Sequence, residues 1–348
     1  MINRTAESSL HFTVSIVVPV HNGGFNFQQC LCSLKALEPA PLEIIVVADG
    51  CTDDSSEIAS KAGVQVIDLP QPQGPARARN NGAKQAKGKF LFFIDADVIV
   101  PVNAVEQIRS VFEKASDLTA VIGSYDDSPS QTNFLSQYKN LLHHHIHQAG
   151  NEEASTFWGA CGAIRRNIFL KMGGFNENYS KPSIEDIELG YRLKQFGYKI
   201  RLLKSLQVKH LKVWRMISLL KSDVFNRAIP WAELILRDRM FINDLNLGFT
   251  SRISVLLVYG LLISSLAAVT WPGALVTAGV TSILLVLFNL PIYRFFNKKR
   301  GLCFTLKTIP WHWFYYCYCG IGFILGTIHY KWRRVKIFRS NCFTGSRE

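Results

Sequence analysis

The sequence feature that most restricts the fold is the stretch 89–98, which reads K-F-L-F-F-I-D-A-D-V. Its apolar run at 91–94 is too short for a helix and predicts a buried central strand. Asp95 and Asp97 follow at the carboxyl end, where open α/β sheets bind ligands. Residues two apart on an extended chain project to one side, roughly 7 Å apart at Cα, and Mg²⁺ would relieve the repulsion between two carboxylates there. Alternatively, one acid caps the helix that Pro101 opens and the other is solvated.

Strand and helix patterns alternate along the chain before this stretch. Each of three β-branched or apolar runs is followed by a polar or glycine-containing loop and then by helical spacing. The strands are predicted at 13–20, 42–48 and 64–68, and the helices at 25–37, 55–62 and 76–87. This alternation predicts an α/β fold with a mostly parallel sheet and helices on both faces. Polar side chains at the strand ends, among them Asp49, Arg79 and Asn80, would then converge on one crevice.

Two later segments carry groups that could do chemistry. A helix predicted at 133–147 contains H-H-H-I-H, in which only His143 and His147 share a face. This pattern favours a polar helix face, such as the wall of an acceptor groove, over a zinc site. A second helix is predicted to begin near residue 185, with three acids in its first turn close to Arg192. Crowded acids next to a cation commonly hold one carboxylate in a defined protonation state. Alternatively, acids in a first turn are ordinary partners of the helix dipole.

Charge and hydropathy divide the chain into unlike halves. Residues 1–200 have a net charge of −3 and residues 201–348 a net charge of +16. Two uncharged apolar runs, at 253–270 and 273–290, predict membrane spans, so the basic half is expected to meet a membrane and not nucleic acid. A third apolar segment, 303–328, predicts either a third span or a re-entrant hairpin, with the hairpin slightly favoured. The eight cysteines follow no metal or disulfide spacing and are expected to be reduced.

Six motifs together resemble the inverting family 2 glycosyltransferases with a GT-A fold. The motifs are S-I-V-V-P-V-H-N-G at 15–23, A-D-G-C-T-D-D-S at 48–55, G-P-A-R-A-R-N-N-G-A at 74–83, F-I-D-A-D-V at 93–98, G-G-F at 173–175 and E-D-I-E-L-G-Y-R-L at 185–193. The resemblance covers about residues 13–203. It implies a GT-A domain at 13–211, after a tail at 1–12. The charge and hydropathy of the remaining residues predict amphipathic interfacial helices at 212–250, a membrane region at 251–330 and a basic tail at 331–348.

The resemblance also implies a role for individual residues on the donor side. Pro19, Val20 and His21 would lie along the nucleotide base, with Asp49 at the base edge. Ala48 stands where the family usually has an acid, which leaves the base open between uracil and guanine. Arg79 and Asn80 would face the nucleotide and Asp95 the ribose. Asp97, with Asp95, would hold Mg²⁺ or Mn²⁺ on the diphosphate of a UDP- or GDP-linked sugar.

On the acceptor side, the resemblance implies that Asp186 is the catalytic base, with Glu185 beside it as a second catalytic candidate. Trp158, Gly159 and Arg192 are expected on the acceptor side. One base and one metal suffice for an inverting displacement, whereas a glycoside hydrolase would need two facing carboxylic acids.

The sequence therefore predicts an integral membrane enzyme with a cytoplasmic catalytic domain, because the basic run 294–300 is expected on the cytoplasmic side. It would transfer one sugar per encounter, since the Q-x-x-R-W motif of the family's polymer synthases is absent. The expected acceptor is a lipid, either a polyprenyl phosphate or a glycolipid. The alternatives are a membrane-tethered transferase acting on a protein or soluble glycan, and a non-catalytic membrane protein that binds nucleotide sugars.

Overall fold

The computed structural model describes residues 12–240 and 247–344, with side chains up to residue 334. Parts of the predicted terminal tails and of the predicted interfacial segment lie outside the described residues. The chain divides into two compact units, Met1–Trp214 and Arg215–Glu348. The domain limits given above stay predictions.

The first unit contains one sheet with helices between its strands. Its strands are β1 (Val14–Val20), β2 (Glu43–Asp49), β3 (Gln65–Leu69), β4 (Phe90–Ile94), β5 (Val98–Ile99), β6 (Leu118–Tyr125), β7 (Glu153–Ala154), β8 (Cys161–Arg165) and β9 (Lys199–His210). Its helices are α1 (Gly24–Lys35), α2 (Ser55–Lys61), α3 (Pro75–Gln85), α4 (Ala104–Lys114), α5 (Phe134–Ala149), α6 (Arg166–Lys171) and α7 (Glu185–Gln195).

The strand order is β3-β2-β1-β4-β8-β6-β9-β5, with β7 paired to β9. The β3, β2, β1 and β4 strands are mutually parallel, as the alternating pattern predicts. From β4 onward the sheet is mixed, because β8 runs antiparallel to both β4 and β6. The predicted α/β class is thus confirmed, with a parallel half at β3, β2, β1 and β4 and one further parallel pair, β6 and β9, beyond β8.

Tight packing holds the crevice end of this sheet. Gly82 of α3 lies so close to β1 that a Cβ there would stand 2.5 Å from Val17 Cγ1. Phe93 of β4 packs against Phe169 and Phe175, with ring centroids 5.1 Å and 5.0 Å apart. These contacts hold the 173–177 loop against the central strand, because buried aromatic rings contribute large contact areas.

The second unit is helical. It begins with α8 (Met216–Leu220), continues through a π-helix (Lys221–Ala228) and then α9 (Ile229–Asp238). Pro230 stands in the first turn of α9, directly after the π-helix, and the helical run is continuous from α8 to α9. Proline has no N–H to donate back along the helix, and the turns before Pro230 are π-helical and not α-helical.

Three apolar helices follow: α10 (Phe249–Ala267), α11 (Ala274–Phe288) and α12 (Leu290–Thr344), the last broken at Gly301. Within the described residues, α10 alone has the length and hydropathy to cross a membrane; α11 and Leu290–Arg334 meet the test only as a pair, bent by 63°. The 15 residues of α11 span about 22 Å, less than a bilayer core of about 30 Å. The predicted second span is therefore shorter than expected.

The third predicted segment, 303–328, lies within α12 and includes Pro310. It forms one helix after the break at Gly301, so the chain does not turn back on itself within 303–328. Together with α11 this helix meets the test for a span only as a bent pair, and the third span and the re-entrant arrangement both stay predictions. Freed backbone groups next to a proline are tolerated in apolar helices where neighbouring groups restore the hydrogen bonds. Whether this helix crosses a membrane stays a prediction.

Candidate active site

The carboxyl ends of β2 and β1 form the first part of the site. The Asp49 carboxylate, at the end of β2, accepts N–H groups from Gln73 at 2.7 Å and Gly74 at 2.8 Å. His21, exposed just after β1, donates from Nδ1 to the Asp49 carbonyl at 2.7 Å. Pro19 is half-buried and Val20 is buried on the same strand end. The structure thus brings the predicted base-side residues together, and Asp49 fixes the loop before α3.

Asp95 and Asp97 are held by different partners. The β4 strand ends at Ile94 and Asp97 lies in a turn, so the extended spacing that we assumed does not apply. Asp95 Oδ1 accepts from Arg79 Nη2 at 2.6 Å, whereas Asp97 Oδ2 lies 3.5 Å from His210 Nε2. The two acids therefore have different protein partners, and a cation shared between them stays a prediction.

Asp97 and His210 make the donor set that best fits a divalent cation. A carboxylate oxygen and an imidazole nitrogen are both ligands of such ions, and Mg²⁺ sites commonly use one or two protein groups plus substrate phosphates. Burial opposes ionisation of Asp97, but His210 and Lys212 together lower its pKa below the ordinary value. Among the described residues, no three His, Cys, Asp or Glu side chains gather as a complete metal site. Any cation here would need substrate oxygens to complete its coordination.

His210 is the functional candidate that the sequence analysis missed. It ends β9, a strand in which buried side chains alternate with more exposed ones over most of its length. That alternation, visible in K-I-R-L-L-K-S-L-Q-V-K-H, is the signal that predicts a half-buried strand. Asn140 Oδ1 lies 2.9 Å from His210 Nδ1, and Tyr125 stacks on the ring at 4.5 Å. Both contacts orient Nε2 toward Asp97.

Arg79 and Asn80 of α3 are engaged with protein groups. The Arg79 side chain is 6% exposed and bonds to both Asp95 and Glu185. Asn80 donates to the Phe175 carbonyl at 2.8 Å and accepts the Phe175 N–H at 2.9 Å. Its amide therefore ties α3 to the 173–177 loop, and the predicted contact of Asn80 with a nucleotide stays a prediction.

Glu185 and Asp186, the two acids that open α7, differ in burial and in hydrogen-bond partners. Glu185 is buried, accepts from Arg79 Nη1 at 2.9 Å and from the Ser183 N–H at 2.9 Å. Asp186 is half-buried, and its Oδ2 accepts the Gly159 N–H at 3.0 Å. These contacts give Glu185 a structural part, and its place as a second catalytic candidate beside Asp186 stays a prediction. Between the two acids, Asp186 is the one whose side chain reaches the surface.

The predicted acceptor-side residues separate into two groups. Gly159 touches Asp186 through its N–H, and Trp158 packs against Tyr125, with ring centroids 4.9 Å apart. Arg192 instead bonds to Glu188 and donates from Nη2 to the Gly174 carbonyl at 2.6 Å. Arg192 thus stabilises the turn after α6, an ordinary role for a cation beside helix-terminal carbonyls. Its contacts do not support an acceptor-side role.

Two histidines of α5, His143 and His147, pack against the Trp158 ring. His143 Nε2 and His147 Nε2 are 2.9 Å apart, which agrees with their predicted common face. His147 donates from Nδ1 to the Gly123 carbonyl at 3.1 Å and His144 from Nδ1 to the Tyr125 carbonyl at 2.8 Å. Since a carbonyl only accepts, His147 carries its hydrogen on Nδ1, and its Nε2 accepts a hydrogen bond from the Nε2–H of His143. The pair is a hydrogen-bonded bridge that holds α5 on β6.

We expect His147 to make the protein sensitive to mild acid. Burial, opposed by the hydrogen bond to Gly123 and aided by His144, lowers the pKa of His147 to about 4. A histidine in the unfolded chain has a pKa of about 6.5. Between pH 4 and pH 6.5 the unfolded state therefore binds more protons than the folded state. The free energy of unfolding should therefore fall as pH drops from about 6.5 toward 4.

The measurement is chemical denaturation in detergent near pH 7 and near pH 5, for the wild type and His147→Asn. Asparagine keeps a donor for the Gly123 carbonyl and removes the titrating ring. The variant should lose less stability than the wild type between the two conditions. An equal loss in both proteins would assign the acid sensitivity to other groups.

The sheet order and the groups at the strand ends define a GT-A domain. Residues 15–173 match the family model described as glycosyl transferase family 2. The chain therefore carries a domain of glycosyltransferase family 2, and the resemblance noted in the sequence is confirmed.

Two relatives and one solved structure illustrate the similarity. Glycosyltransferase GlyG of Streptococcus pneumoniae is 36% identical over 118 residues, 32% of this chain and 38% of GlyG. The poly-beta-1,6-N-acetyl-D-glucosamine synthase of Staphylococcus epidermidis is 23% identical over 272 residues, 74% of this chain and 62% of the synthase. The match thus spans less than two thirds of either relative.

The mannosyltransferase PcManGT from Pyrobaculum calidifontis, solved with GDP-Man and Mn²⁺, shares the fold at a TM-score of 0.53 and 16% identity, covering 92% of this chain and 87% of that one.

Proposed function

We propose that this protein is an inverting glycosyltransferase that moves one sugar per encounter from a UDP- or GDP-linked donor to a membrane-associated acceptor, in the first instance a lipid. The observation that best supports this proposal is the difference in burial and bonding between Glu185 and Asp186 at the start of α7. There Glu185 is buried against Arg79, while Asp186 is half-exposed and held by the Gly159 N–H. Because residues 15–173 match glycosyl transferase family 2, we interpret this accessible acid as a group that takes part in sugar transfer.

Asp186 is the proposed catalytic base. A hydrogen bond from a backbone N–H favours the ionised form of a carboxylate, which is the form that accepts a proton. As the acceptor hydroxyl attacks the anomeric carbon, Asp186 takes its proton, and the nucleoside diphosphate leaves from the opposite face with inversion. Glu185 is already bonded to a cation and a backbone N–H, so it does not compete for this proton.

Asp97 and His210 are the residues that would hold Mg²⁺ or Mn²⁺. Such an ion, when bound, neutralises the charge that builds on the diphosphate leaving group. Asp95 remains the proposed ribose contact, because its second oxygen is not used by the Arg79 bond. His21, with Pro19 and Val20, is proposed to border the base.

The helices of the second unit support membrane association. Many of their large apolar side chains are exposed, for example Leu256, Ile263 and Val276. Polar bonds join the helices internally: Asn289 donates to Ser254 Oγ at 2.9 Å, and Tyr316 donates to Asn289 Oδ1 at 2.7 Å. Apolar exteriors joined by internal polar contacts are typical of membrane helix bundles.

Small residues add to this support. A Cβ at Gly320 would lie 2.5 Å from the Tyr259 ring, and one at Gly326 would lie 2.6 Å from the Ile229 carbonyl oxygen. Small side chains at helix contacts allow backbones in a bilayer to approach closely. We propose that this unit is an integral membrane element with the exposed basic residues near Arg300 on the cytoplasmic side.

The test is transfer from a panel of radiolabelled UDP- and GDP-sugars by membranes that contain the protein. UDP-N-acetylglucosamine and GDP-mannose come first, because the relatives and the solved neighbour name those sugars. Parallel reactions contain Mg²⁺, Mn²⁺ or EDTA, and the products are partitioned into organic solvent. Membranes without the protein are the control.

We expect metal-dependent label from one donor in the organic phase. Label that stays in the aqueous or protein fraction would instead indicate a soluble glycan or protein acceptor. A ladder of long products would contradict single transfer. A protein that binds UDP or GDP but turns over no donor would favour the non-catalytic alternative.

A further inference from the structure

Arg79 links two parts of the site that are far apart in the sequence. Its Nη2 donates to Asp95 after β4, at 2.6 Å, and its Nη1 donates to Glu185 at the start of α7, at 2.9 Å. The Arg79 and Glu185 side chains are each only 6% exposed. A single buried cation thus joins the donor side of the crevice to the helix that carries Asp186.

The start of α7 is located by contacts that converge on Arg79. Glu185 uses one oxygen for Arg79 and the other for the Ser183 N–H. Gly159, which donates to Asp186, also packs on the guanidinium, since a Cβ at residue 159 would lie 3.0 Å from Arg79 Cζ. The positions of Glu185 and Gly159, two of the residues next to Asp186, therefore depend on the position of Arg79.

The shape of the guanidinium suits this task. Its planar fork donates in two fixed directions, whereas a lysine ammonium is a point charge on a flexible stem. The guanidinium also lies over the Phe175 ring, 5.4 Å from its centroid, which holds the plane in place. The Arg79 guanidinium can therefore fix the distance between Asp95 and Glu185.

We propose that Arg79 is a positioning residue that places Asp186 through Glu185, and that it does not contact the nucleotide. This inference rests on the proposed function, in which Asp186 is the base. It replaces the sequence-based expectation that Arg79 faces the nucleotide. It also explains a buried glutamate directly beside the proposed base.

Glu185→Gln and Arg79→Lys test the proposal, with Glu188→Gln as the matched control. Glu188 is a buried acid on the same helix, and it pairs with Arg192 at 2.9 Å. For each variant we would measure kcat and KM for the donor that the panel identifies, and the dissociation constants of UDP and GDP with Mn²⁺ by calorimetry. Circular dichroism would compare the folded state of each variant with that of the wild type.

The two test variants should lower kcat about 100-fold, the loss typical of a displacement of about 1 Å in a catalytic group. Donor KM and nucleotide affinity should stay within about threefold of the wild type, because positioning of the base acts on the chemical step. The double variant should be little worse than either single one, since both break the same link. Glu188→Gln should keep the wild-type kcat.

A loss of nucleotide affinity with kcat retained would make Arg79 a nucleotide ligand and overturn the inference. If both charge variants fail to fold, Gly159→Ala tests the same link without removing a charge, and an unchanged kcat in that variant overturns the inference too. A wild type that turns over no donor overturns the proposed function itself. An active wild type whose Glu185→Gln variant keeps full kcat overturns only the inference.

Discussion

Asp186→Asn is expected to lower kcat by about a thousandfold, within the range of about 10²–10⁴ that general base catalysis contributes. Asparagine keeps an oxygen that can accept the Gly159 N–H, which Asp186 accepts at 3.0 Å, so the local backbone should be retained. What disappears is the group that takes the proton from the acceptor. Nucleotide affinity should therefore remain close to that of the wild type, because the proposed nucleotide contacts lie elsewhere.

The measurement is donor turnover at saturating acceptor, together with calorimetric binding of UDP and GDP. Asp117→Asn is the control, since it removes one carboxylate from the first unit at a site paired with Lys199 on the exposed surface. That variant should transfer at the wild-type rate. A fully active Asp186→Asn would remove the proposed base and leave the mechanism without a proton acceptor.

Asp97→Asn is expected to lower kcat/KM by about a hundredfold or more, because metal stabilisation of a leaving group amounts to several kcal/mol and each factor of ten is about 1.4 kcal/mol. Asp97 and His210 are the only pair of cation ligands that we assign in the described residues. An amide is a weaker ligand than a carboxylate for a hard cation. The variant should need more Mn²⁺ for half-maximal rate, and added Mn²⁺ should restore part of the activity.

A titration of rate against Mn²⁺ and Mg²⁺ checks this expectation, with EDTA treatment of the wild type as the reference for complete loss. His210→Gln should shift the metal requirement in the same direction. Asp117→Asn should leave the titration unchanged. If Asp97→Asn lowers the rate but leaves the metal requirement where it was, the cation is held elsewhere.

Much of the parallel half of the sheet was predictable from local patterns. The apolar runs that became β1, β2 and β4 are short, buried and followed by loops, and the helices between them have the expected spacing. The motif residues Asp49, Asp95 and Asp97 lie at or just after strand ends, as predicted. The limits of α10 and α11 were less predictable, because apolar composition continues past the residue at which a helix ends.

The partner of each polar group was not predictable in the same way. Sequence spacing predicted a cation between Asp95 and Asp97, but it did not predict that the strand ends at Ile94, with Asp95 bonded to Arg79 and Asp97 next to His210. Glu185 and Asp186 are adjacent and similar in sequence, yet one is buried against Arg79 and the other half-exposed. Two acids that look equivalent in the sequence therefore differ in burial and in hydrogen-bond partners once the chain is folded.

The amino-acid sequence by itself determined the α/β class, the order of the first strands, the family and the apolar character of the second half. These properties follow from short-range periodicity and from motifs read along the chain. The tertiary structure alone decided that Arg79 links Asp95 to Glu185 and that His210 faces Asp97. The Arg79–Glu185 contact joins residues 106 positions apart in the chain. Contacts of this kind depend on how sheet and helices pack, which no local pattern encodes.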